Sequence, residues 1–154
     1  MIIRPPRIGR MRGVATVEAA VALPVLLFLM LASVELSRAF VQYTVLADAV
    51  RNGARHVAAR ALLGTTQKIN ITTQLQTEAR NLVVYGNEGG TGTAKLPGLA
   101  PAQITVSDAG GNNVSVTAVY PYQSLFGSQL PSFGTSPAQS MVFNMSIAIT
   151  MRAL

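Results

Sequence analysis

The chain has 154 residues, 49% of them apolar and 12% charged, and it has no cysteine. That length suits one domain, the composition is too apolar for a disordered chain, and disulfides, thiolate nucleophiles and zinc–thiolate sites are excluded. The net charge is +6, but Arg4, Arg7, Arg10 and Arg12 crowd the start with no acid among them. Beyond residue 13, eight Lys/Arg face six Asp/Glu. This leaves no basic face of the kind a nucleic-acid partner needs.

The first element is a helix long enough to cross a membrane. From Ala19 to Val34 sixteen consecutive residues carry no charge, and from Val14 only Thr16 and Glu18 interrupt the apolar run. A helix of that length spans about 30 Å, the thickness of a hydrocarbon core. Arginines in front, with Glu35 and Arg38 behind, predict a cytoplasmic N-terminus and an extracytoplasmic remainder. A secretory signal peptide is the competing reading. The apolar run exceeds the usual h-region, and Leu31-Ala32-Ser33 is a poor cleavage site. Pro24 removes one backbone hydrogen bond inside the span and softens it.

The helical pattern continues past the span. Leu36, Phe40, Tyr43, Ala47, Val50, Ala54, Val57 and Ala61 recur every three or four residues, the stripe of an amphipathic helix. Gly64 is positioned to cap it. Thr65-Thr66 can open a second helix over residues 67–85, with Ile71, Leu75, Ala79 and Leu82 inward. Residues 86–101 are rich in Gly, Pro and Thr and read as a loop.

The period then changes to two. Ile104 and Val106 alternate, "DAGGNN" at 108–113 marks a turn, and Val114, Val116, Ala118 and Tyr120 alternate again. Pro121 ends that strand or places it at a sheet edge. Residues 123–140 form a loop that packs back through Leu125, Phe126, Leu130 and Phe133. Met141 to Met151 alternate as the longest strand. The expected fold is α+β: a long helix, half transmembrane and half amphipathic, a second helix, and a three-stranded antiparallel sheet on the long helix.

Catalytic chemistry is hard to find. His56 is the only histidine and reads as a rim residue without a partner for a metal or a triad. No two acids form a close pair in sequence, and the Gly pairs at 89–90 and 110–111 lack a phosphate-loop context. The chain is expected to be no enzyme, with no catalytic, cofactor or metal residues and no small-molecule substrate.

"RGVATVEAAVALPVLLFLM" resembles the TadE-like family, minor pilins or pseudopilins of tight-adherence (Flp, type IVc) pili. In such proteins a short basic leader ends in Gly, a Glu is the fifth residue after it, and a Pro lies further along an apolar helix. Gly13, Glu18 and Pro24 match that pattern, and "ADAVRNGARHVAAR" at 47–60 is similar to the family's small-residue block. The major Flp pilin has Glu-Tyr where this chain has Glu18-Ala19, which points to a minor component.

The resemblance implies three segments: a leader at 1–13, a transmembrane part at 14–35 and an extracytoplasmic pilin-like domain at 36–154. It also implies cleavage between Gly13 and Val14 by a prepilin peptidase on the cytoplasmic face of the inner membrane. The partners would be other pilins, packed through residues 14–61. Glu18 is an intramembrane carboxylate and needs a partner; the amine of Val14, its own or a neighbour's, would suit it and set helix register. The alternatives are a single-pass anchored binding domain unrelated to pili, and a secreted domain behind a signal peptide.

Overall fold

A computed structural model describes residues 12–63, 68–125, 127, 129–130, 139–140 and 142–154. Helix α1, Arg12–Arg60, runs for 49 residues with Pro24 inside it. The chain divides into two units, residues 1–37 and 38–154.

In the first unit every residue from Gly13 to Val34 is exposed. Its large side chains include Val14 at 70% and Phe28 at 42% exposure, and the most apolar stretch of α1 has a mean hydropathy of 2.3. The one hydroxyl late in the run is satisfied inside the helix, where Ser33 Oγ donates to Leu29 O at 2.8 Å. An apolar surface this continuous is what a lipid or protein partner covers.

The second unit is a two-layer α+β fold. After α1 come two short paired strands, β1 (Leu62–Leu63) and β2 (Lys68–Ile69), then helix α2 (Thr73–Tyr85). A sheet follows, built from β3 (Ile104–Gly110), β4 (Asn113–Pro121) and, at the C-terminus, β7 (Asn144–Arg152). Between β4 and β7 lies a small antiparallel pair, β5 (Gln129–Leu130) with β6 (Gln139–Ser140). The main sheet is antiparallel in the order β3-β4-β7.

Alternation sorts the sheet's two faces. Val116 stands between Val106 and Ile149, and Ala118 between Ile104 and Ile147. These rows belong to one core with Leu46, Val50, Ala54, Val57 and Ala61 of α1 and Leu75, Ala79, Val83 and Val84 of α2. The opposite face carries Thr105, Ser107, Ser115, Thr117, Ser146 and Thr150, matched across strands by the same register.

Several expectations need correction. The upper part of the α1 stripe is not core: Leu36, Phe40 and Tyr43 are exposed, while Gln42 and Leu46 are buried. The buried Gln42 has a polar partner. Tyr120, fully buried on β4, donates its hydroxyl to Gln42 Oε1 at 3.2 Å, and the core-facing sector follows residues 42, 46, 50 and 54. Helix α1 ends at Arg60 rather than near Gly64, and Gly64 lies outside the described residues. Leu62 pairs with Ile69 instead, and Asn70 N donates to Ala61 O at 2.8 Å.

Helix α2 starts later than expected because Thr72 is the better cap. Its side chain accepts from Leu75 N, and Ile69 is already committed to β2; Thr65 and Thr66 lie outside the described residues. Val83, not Leu82, completes its buried face. Gly86 ends it in the left-handed conformation, φ 82°, as a helix C-cap glycine does. Pro121 closes β4, but β4 is the central strand and not an edge.

β7 begins at Asn144. Phe143 leaves the alternation to stack on Tyr122, with ring centroids 4.9 Å apart, and Met141 lies outside the described residues. In the preceding loop Leu125 is exposed; Phe126 and Phe133 lie outside the described residues.

Candidate functional site

The N-terminal half of α1 presents the sequence-predicted residues as one ladder. Val14 and Glu18 are four residues apart, hence on one face of the helix, and both are exposed. Among the described residues Glu18 takes part in no ion pair. Pro24 lies further along the same helix, which runs through it unbroken; its missing N–H leaves the carbonyl of Ala20 without its usual donor. Arg12 opens the helix, and Arg4, Arg7 and Arg10 lie outside the described residues. A lone carboxylate on a helix of membrane length, one turn after a small residue and a Val, can serve as the acceptor for a cation brought by another chain.

Further along α1, the 47–60 block has a packing role. Gly53 faces α2 so closely that a Cβ built there would sit 2.5 Å from Val83 Cγ2. The absence of a side chain is what lets α2 dock here. The family model described as TadE-like protein matches residues 13–55. That stretch is a TadE-like domain. No curated protein and no solved structure matches the chain.

The TadE-like match therefore spans the exposed apolar run and ends two residues beyond Gly53. Neither helix α2 nor the sheet falls within it.

The fold also assembles a charged cluster on the second unit. His56, with a side chain only 9% exposed, has Nε2 3.2 Å from Glu78 Oε2 and Nδ1 3.4 Å from Glu88 Oε1. Arg60 spans the same two carboxylates, with Nη1 3.1 Å from Glu78 and Nη2 3.4 Å from Glu88. The histidine expected to stand without partners is thus flanked on both ring nitrogens. Residues 56, 78 and 88 come from α1, α2 and the loop after α2, so no local spacing could announce them. Their ligand atoms lie within 4.8 Å of one another, and the residues could in principle hold a cation. Arg60 already supplies the positive charge between them, and the arrangement joins α2 and its loop to α1.

Hydrogen bonds from Gln74 and then His56, with the charges of Arg60 and His56 added, hold the Glu78 carboxyl below its ordinary value of 4.5; burial opposes them. A carboxylate so depressed stabilises the fold above its unfolded value, and that contribution is lost as pH falls through the folded one. Glu78→Gln is therefore expected to lower stability at neutral pH and to flatten the fall of the melting temperature below about pH 4.5, which a series of melts from pH 3 to 7 would check. An unchanged acid slope would mean that other carboxylates carry it.

Tyr120 anchors the other end of the second unit. Its hydroxyl lies 2.9 Å from Pro97 O as well as reaching Gln42, so it joins β4, α1 and the 86–100 loop. Burial pushes its pKa up, against the opposing charge of Arg38. A phenol held this way is a neutral structural donor at physiological pH.

Proposed function

We propose that the chain is a non-catalytic minor pilin, or pseudopilin, of a tight-adherence pilus, anchored in the inner membrane by residues 14–35. Residues 1–13 act as a leader whose Arg4, Arg7, Arg10 and Arg12 stay in the cytoplasm. A prepilin peptidase cuts between Gly13 and Val14, and residues 36–154 form the extracytoplasmic head. The observation that carries this reading is the exposed apolar run of a TadE-like domain, broken by one carboxylate a single helical turn beyond the cut.

Cleavage creates a cation, the α-amine of Val14, next to the apolar phase. Glu18 pairs with that amine or with its counterpart on a neighbouring pilin. In lipid such a pair replaces two costly lone charges, so it favours one axial register of packed helices over the others. Pro24 leaves the helix soft between its ends, which suits a segment that moves from bilayer to bundle.

The mature N-terminus tests the reading. Intact-mass and N-terminal peptide measurements on membrane-extracted protein are expected to show a chain beginning at Val14. A chain that keeps Met1 would instead be a plain anchored binding domain. A start near residue 34 would mark a secreted domain behind a signal peptide.

A further inference from the structure

One ring nitrogen of His56 cannot serve both of its neighbours at once. Nε2 lies 3.2 Å from Glu78 Oε2, an acceptor, and 3.2 Å from Arg60 Nη1, a donor. A ring nitrogen carries either a lone pair or a hydrogen. With the lone pair it accepts from Arg60 and faces Glu78 without a bond. With the hydrogen it donates to Glu78 and has nothing to offer Arg60. Nδ1 has no such conflict, since the charged atom beside it is Glu88 Oε1, at 3.4 Å. Among the described residues the charged groups that face the ring are Arg60 from its own helix α1, Glu78 from α2 and Glu88 from the loop after α2.

We infer that His56 is a proton-operated latch between α1 and α2. In the neutral ring the hydrogen sits on Nδ1 and points to Glu88, while Nε2 accepts from Arg60. The arginine then bridges to Glu78 Oε2, 3.1 Å away. The other neutral form is disfavoured at both ends: it turns the Nδ1 lone pair on a carboxylate and sets an N–H against the Arg60 donor. A second ring proton makes both nitrogens donors. Nε2 then bonds Glu78 directly, and Arg60, now a like charge beside the ring, moves off it. The arginine side chain is 51% exposed and free to move, and its Nη2 already lies 3.4 Å from Glu88. Glu78 passes from the arginine to the histidine, and the arginine goes to Glu88.

The charges make both states tenable. With the ring neutral, one cation serves two carboxylates. With the ring protonated, two cations face two carboxylates, which offsets the cost of charging a side chain only 9% exposed. Glu78 stays ionised throughout. Gln74 Nε2 donates to its other oxygen, Oε1, at 2.8 Å; that bond, then the His56 contact, holds its carboxyl below the ordinary 4.5. Imidazole is the side chain that changes charge in the mildly acid to neutral range, so the exchange requires neither unfolding nor a second titrating group.

The test follows the ring itself. His56 is the only histidine, so its two nitrogens are read without ambiguity by NMR of the full chain in detergent micelles with labelled histidine, from about pH 8 to about pH 5. On the basic side the expected state is a bare Nε2 and a protonated Nδ1, the reverse of the preference of a free histidine in water. As the pH falls both nitrogens become protonated. The Glu78 carboxyl carbon is expected to shift with the same midpoint as the ring, and His56→Gln to abolish that shift. Arg60→Ala removes the donor to Nε2. The neutral hydrogen is then expected to move to Nε2 and bond Glu78, because Glu88, 49% exposed, can turn away from a bare Nδ1.

A neutral ring with its hydrogen on Nε2 in the unmodified chain overturns the inference. So does a ring that stays neutral down to about pH 5, since the latch then never changes hands. A Glu78 carbon that ignores the ring's titration, or that keeps its shift in the His56→Gln chain, removes the direct bond to α2. A tautomer unmoved by Arg60→Ala removes the arginine's part. The first three of these readings need no altered residue, so they decide the matter even where a variant fails to fold.

Discussion

Glu18→Gln is expected to leave membrane insertion and cleavage intact and to reduce the chain's presence in sheared pili about tenfold or more. Glutamine keeps the size and most of the hydrogen bonding of the side chain but loses the charge. If Glu18 pairs with the Val14 amine in a low-dielectric bundle, removing one partner leaves the other charge buried and unpaired, a penalty of a few kcal/mol; about 1.4 kcal/mol already amounts to a factor of ten. Insertion should be unaffected, because fewer charges in the span make it easier. Immunoblots of sheared filaments and of membranes, run side by side, separate the two effects. Equal incorporation of the variant would sink the pairing. A mild loss with Glu18→Asp, which keeps the charge on a shorter arm, would support it.

Gly53→Leu is expected to destabilise the head by about 3 kcal/mol or more, with Gly53→Ala costing less. Even a Cβ at this position would lie 2.5 Å from Val83 Cγ2. Val83 is fully buried, and its β-branched side chain has little rotamer freedom with which to yield. Overpacking of this kind costs about 1–3 kcal/mol. For alanine the gain in helix propensity, about 1 kcal/mol, offsets part of that; leucine enjoys a similar gain but adds more volume than the site can hold. Denaturant melts of the full chain in detergent check the order. Combining Gly53→Ala with Val83→Ala should cost less than the two single changes added, since both act on one contact. Strict additivity would place the clash elsewhere.

The two experiments probe the two units separately. Glu18 concerns an exposed helix segment whose surroundings must come from a bilayer or from other chains. Gly53 concerns a packed interior within the chain. The TadE-like match covers both positions, and within it Gly53 serves the docking of α2.

How much of this was readable beforehand depends on the range of the interactions. The apolar run from Val14 to Val34 announces a helix of membrane length through its length and composition alone. Val114, Val116, Ala118 and Tyr120 announce a strand because a period of two suits nothing else. The Gly13–Glu18–Pro24 spacing pointed to the family without any tertiary information. The face of α1 that meets the sheet was not legible. Stripe counting placed Phe40 and Tyr43 inside, but the buried face runs through Gln42, whose amide meets the Tyr120 hydroxyl from a distant strand.

The membrane-length apolar helix, the order of helices and strands, and the place of the one carboxylate in the apolar run all follow from local pattern and composition, since each is set within a few turns of the chain. The meeting of His56 with Glu78 and Glu88, the central place of β4 and the close approach of α2 to Gly53 were decided only by the tertiary structure. Each depends on residues brought together from distant parts of the chain, and no periodicity in one segment records which segment will lie beside it.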